Sequence, residues 1–130
     1  MKILIATILF FSSFLSAEEK TEFELLSVDS LMCIGTEPFW SLDVEQDKAT
    51  FEDLDENKVF FQVDKVIQSL NHTNRWFVTL KSKATDRPNF MTVHRTGECS
   101  DDMSDNQYEF EMMLLTEDSI SYSGCCNKLD

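Results

Sequence analysis

The residues of this chain whose types and spacing could carry chemistry are four cysteines, two histidines and a few clustered carboxylates. Cys33 stands alone, Cys99 opens the run Cys99-Ser100-Asp101-Asp102-Met103-Ser104-Asp105, and Cys125 and Cys126 are adjacent. Thiols in such numbers can bridge, bind zinc or cycle redox state. Zinc asks for Cys and His at short spacing, and His72 and His94 are both isolated. Neighbouring side chains on a strand point to opposite faces, and a bond between adjacent cysteines closes a strained ring. Cys125 and Cys126 are therefore expected to reach different partners, which leaves two pairings, both stapling the C-terminal segment to Cys33 and to Cys99. Because Ile120 and Tyr122 share a face with Cys126, the preferred pairing is Cys33 with Cys126 and Cys99 with Cys125. The alternative is a redox-sensitive bond within the adjacent pair.

The turn from Ser100 to Asp105 holds three aspartates and two serines. That much oxygen suggests calcium, yet the regular alternation of ligands and the distant glutamate of a helix-loop-helix site are missing. Asp and Ser are also ordinary turn residues, so an ordered turn is expected, with Met103 folded beneath it and Tyr108 leading into the next strand. Upstream, Pro38 biases Glu37 toward an extended conformation, after which Phe39 and Trp40 begin a strand with opposite-facing aromatics. Trp40 is the core candidate of the two. Glu37 either accepts backbone N–H groups to pin its loop or presents a carboxylate to a ligand. The candidate binding residues are thus Glu37, Trp40, Asp101, Asp105 and Tyr108. No catalytic residue is assigned. His94 shares a strand face with Phe90 and Thr92 and reads as a hydrogen-bonded sheet residue, and no nucleophile elbow or paired catalytic acid stands out. The chain is expected not to be an enzyme and to need no cofactor.

Charge narrows the partners. Eleven Lys and Arg face 24 Asp and Glu, a net charge of −13. Nucleic acid and anionic lipid are disfavoured by such a field, and a basic protein or a small cationic ligand is favoured.

The elements that must position these residues follow an export signal. Lys2, the apolar run Ile3 to Phe11 and the small residue Ala17 predict a signal peptide over residues 1–17, cleaved after Ala17. The remaining 18–130 is the size of one domain, exported to the periplasm or secreted and without a stable membrane anchor. Oxidised cysteines fit that compartment. Within it, apolar residues recur at period two: Trp40, Leu42, Val44; Val59, Phe61, Val63; Trp76, Val78, Leu80; Tyr108, Phe110, Met112, Leu114. Shorter strands are expected over Ala49–Asp53, Asn89–Arg95 and Ser119–Ser123. Polar, turn-forming connections separate them, at Glu45–Lys48, Asp53–Asn57, Asn71–Asn74, Asp86–Asn89 and Thr116–Asp118. The prediction is an all-β domain, a small antiparallel meander of seven strands closing into a barrel or sandwich and stapled by disulfides. Residues Glu18 to Leu31 read either as a helix or as an extended lead-in.

Three separated blocks, CIGTEPFW at Cys33–Trp40, CSDDMSDNQY at Cys99–Tyr108 and SGCC at Ser123–Cys126, resemble the signature blocks of a family of uncharacterised bacterial envelope proteins. In that family the second block has glycine where Asp102 stands here, so the resemblance implies a turn that either is altered in this chain or uses aspartate's tolerance of a positive backbone angle. In size, export and strand pattern the chain is also similar to bacterial lysozyme inhibitors and to heat-shock-type META domains. The Ser-Gly-x-x-Tyr loop associated with those inhibitors is missing, since Asn127 follows Ser123-Gly124-Cys125-Cys126. The functional expectation is a non-enzymatic envelope binding module for a small ligand or a basic protein. The alternatives are a lysozyme-type inhibitor and a redox-sensitive protein.

Overall fold

The computed structural model of the protein describes residues 30–129. The expected signal peptide and most of the Glu18 to Leu31 stretch lie outside the described residues. Ser30 and Leu31 lie within them and begin the first strand.

Eight strands run in chain order: β1 (Ser30–Gly35), β2 (Trp40–Glu45), β3 (Lys48–Asp53), β4 (Lys58–Gln68), β5 (Arg75–Ser82), β6 (Pro88–Ser100), β7 (Gln107–Leu115) and β8 (Ser121–Lys128). Each pairs antiparallel with the next, and β8 returns to pair with β1, so the sheet is a closed barrel rather than a sandwich. Closure leaves no strand with a row of unpaired N–H and C=O groups. The alternating residues face inward as the period-two pattern requires, although Val59, near the start of β4, is left 41% exposed. Leu42, Val44, Phe61, Val78, Leu80, Met91, Val93, Phe110, Met112 and Leu114 are buried, while their neighbours carry most of the polar and charged groups outward. This is the reverse of the alternation that a membrane-spanning barrel needs. Eight strands make an interior just wide enough for side chains to fill. Here it is filled at one end by an aromatic cluster, Trp40 on Phe51 and Tyr122 with ring centroids 5.8 Å apart in each pair.

There are eight strands, not seven, because Ser30–Gly35 pairs on both sides. Its outward positions include Met32 and Ile34, so it lacks the polar alternation by which the other strands are recognised. The last strand is Ser121–Lys128 rather than Ser119–Ser123, and Ile120 is exposed in the preceding turn. Phe39 lies exposed in the turn before β2 instead of opening the strand.

Two irregularities shape the wall. The β4–β5 register slips between Val63 and Lys65, and the β6–β7 register slips between Arg95 and Cys99. The second contains Gly97 at φ 71°, a left-handed conformation that glycine adopts without steric cost and that re-aims the end of β6.

Candidate functional site

The two disulfides follow from which way each cysteine faces. On β8, Tyr122, Gly124 and Cys126 are turned inward, and Cys126 sits opposite Cys33 of β1 in the strand register, where the two are joined. Both are fully buried. Cys125 faces outward and is joined to Cys99, beyond the irregular stretch of β6, so no bond links the adjacent pair. Although it faces out, Cys125 is buried too, because the segment after Cys99 lies over it: its sulfur is 3.2 Å from the Ser100 carbonyl oxygen.

That outer staple delivers the acidic turn to the first loop. The Thr36 hydroxyl, between β1 and β2, donates to the Asp101 carbonyl oxygen at 3.0 Å across 65 sequence positions. Gly124 completes the junction by close approach. A Cβ there would run into the Ile34 carbonyl and the Trp40 ring. The three sequence blocks thus converge on one place, Cys33–Trp40 from one side, Cys99–Tyr108 from the other and Ser123–Cys126 between them.

Asp101 organises the surface of this junction. Its carboxylate accepts from the backbone N–H of Met103 at 3.0 Å and of Ser104 at 2.8 Å, from the Ser104 hydroxyl at 2.8 Å and from the Tyr108 hydroxyl at 3.1 Å. Those donors stabilise the ionised form, the Met103 N–H most, and hold its pKa down at about 2. Desolvation first, and then the bond to Asp101, push the Tyr108 phenol upward. The turn is thereby closed on itself, with Asp102 at φ 62°, the left-handed angle that aspartate tolerates better than most residues. Both carboxylate oxygens of Asp101 are engaged by donors from the turn and from Tyr108.

The five candidate binding residues separate. Asp101 and Tyr108 are brought into direct contact, and Asp105 is exposed on the same turn. Glu37 is next in chain to Thr36 and exposed, and of its two expected roles the pinning of its own loop is not seen. It is left-handed at φ 58° rather than extended, and among the described residues its carboxylate accepts no hydrogen bond. The tight return from Gly35 to Trp40, which pair directly, overrides the usual preference of a residue before proline. Trp40 is buried, so it supports the junction from below and offers no face to a partner. Met103 is 59% exposed rather than folded beneath, because Asp101 captures the backbone N–H groups and leaves that side chain outside. Thr36 was missed. A hydroxyl residue beside a cysteine-anchored strand carries no sequence signal of a partner 65 positions away.

His94, as expected, is a sheet residue with a hydrogen-bond partner: its Nε2 lies 3.3 Å from the Asn74 amide nitrogen, and Nδ1 is 3.8 Å from Glu111. Among the described residues no group of three or more His, Cys, Asp or Glu is placed to hold a metal ion. Comparison of the chain with family models, with curated proteins and with solved structures finds no match.

Proposed function

We propose that this is a non-enzymatic binding module of the bacterial envelope, periplasmic or secreted, that recognises a basic protein through the turn from Asp101 to Asp105. The observation that carries the reading is the way Asp101 is held. Four donors order the turn, and a pKa of about 2 keeps the carboxylate ionised throughout the physiological range. A loop that is already ordered loses little conformational entropy on binding. Its neighbours Asp102 and Asp105 are exposed, and Glu37 stands beside Thr36 at the same junction, so a partner would meet several carboxylates at once. The interior is packed with large side chains, which argues for a partner met at the surface. Two bridges seal the envelope-type construction, consistent with an oxidising compartment outside the cytoplasm.

The test is affinity capture from envelope extract with the mature protein and with a variant reversed at Asp101 and Asp105 to lysine. Basic proteins held by the first at low salt, released as ionic strength rises and not held by the second, support the reading. Equal capture by both baits overturns it. One observation favours a second reading: a filled core beneath one rigid acidic loop is also how a protein inhibitor would present itself to a cationic enzyme cleft.

A further inference from the structure

The charge of this molecule is segregated. Residues 58–95, which span β4 to most of β6, carry seven Lys and Arg against two Asp and Glu, in a chain with 11 against 24 overall. The wall from β4 to β6 is therefore less acidic than the chain as a whole, although β7 beside it carries Glu109 and Glu111. Across the same strands the outer wall is unusually apolar. Ile67, Phe77, Thr92 and Met113 follow one another in the register from β4 to β7, and Ile67, Phe77 and Met113 are 51%, 43% and 51% exposed. Two residues further along each strand, Arg75 pairs with His94 and His94 with Glu111, forming a second, polar row. Between the rows runs a trough of about 650 Å³, lined at its β4 end by Ser69 and Leu70.

We propose that this trough binds a single-chain anionic amphiphile, its tail along the apolar row and its headgroup on Arg75. The volume and mostly apolar lining with few polar groups are those of small-molecule sites. Three interstrand gaps make it roughly 14 Å long, the reach of one alkyl chain. Among the described residues Arg75 has neither an ion pair nor a hydrogen bond to its side chain, whereas His94 and Glu111 already face each other at 3.8 Å. The guanidinium is the free cation of the polar row, and it suits a carboxylate, phosphate or sulfate head through paired N–H donors. An acidic peptide fits less well, because a closed barrel has no free strand edge to extend. A second copy would bring the same overall negative charge against this one. A bilayer would touch the crests of the rows and leave the recess between them empty. This site is separate from the acidic turn, and its failure would leave that reading untouched.

The experiment is calorimetric titration of the mature, disulfide-bonded protein with laurate below its micelle-forming concentration. Saturable one-to-one binding is expected, weakened about tenfold or more by Arg75→Gln and by Phe77→Ser, and unchanged by Lys48→Gln on β3, which does not line the trough. Arg75 is exposed, so its variant decides the matter even if Phe77→Ser fails to fold. Equal binding of an uncharged sugar-headed dodecyl detergent would overturn the proposal. So would binding seen only with anionic vesicles, laurate affinity indifferent to Arg75→Gln, or concentration-dependent self-association that buries Phe77.

Discussion

Cys33 and Cys126 face each other directly across the seam between β1 and β8, their Cα atoms 4.0 Å apart. The bridge lies where the first and last strands meet, so it locks the closure of the barrel itself. It spans 93 positions, nearly the whole described chain.

Peptide mapping of the unreduced mature protein should therefore show Cys33 with Cys126, Cys99 with Cys125 and no free thiol. Replacing Cys33 and Cys126 together by serine should lower unfolding free energy by about 2–5 kcal/mol, read from denaturant melts, because it reopens a very long loop. A Cys125 to Cys126 fragment would contradict the arrangement and restore the redox reading.

Trp40 is the largest side chain in the aromatic cluster and closes over Gly124. Trp40→Ala should cost about 3–5 kcal/mol, with little effect on partner capture beyond the loss of folded protein. Gly124→Ala should destabilise by about 1–3 kcal/mol, since its methyl group would meet the Ile34 carbonyl and the Trp40 ring. A Trp40 indole freely quenched by acrylamide in the native protein would contradict its burial.

Acid should loosen the turn before it unfolds the barrel. The pKa of Asp101 is lower in the folded state than its usual value of 3.8. Its contribution to stability is then fully present above about pH 4 and is lost as pH falls through about 2. The amide resonances of Met103 and Ser104 should shift over that window, and Asp101→Asn should abolish the transition. Shifts centred near pH 4 would mean that the four donors do not hold the carboxylate as described.

Common c-type lysozyme should not be inhibited in a cell-wall lysis assay, because Asn127 stands where the inhibitors' loop has its tyrosine. Stoichiometric inhibition that disappears on charge reversal at Asp101 and Asp105 would make the inhibitor reading the better one.

Much of the barrel could be read from local pattern. Alternation at Trp40–Val44 or Phe110–Leu114 marks which side of a strand is inward, whatever the strand pairs with. The opposite facing of Cys125 and Cys126 follows from the same geometry; it left two pairings, of which the preferred one is the one observed. Where local pattern misled, a tertiary constraint was stronger. Met32 and Ile34 hide β1 because both of its faces are apolar. Glu37 is bent out of its extended preference by the direct pairing of Gly35 with Trp40, and Met103 is turned out by the bonds that Asp101 makes.

The sequence alone determined the class, the turns, the opposite facing of the adjacent cysteines and an acidic loop, because each depends on neighbours a few positions apart. Only the tertiary structure decided that the sheet closes into a barrel, that Thr36 meets Asp101, and that Ile67, Phe77 and Met113 line up beside Arg75. Those relations depend on which strands lie side by side and in what register. Register is set by the summed packing of the whole interior rather than by any one segment.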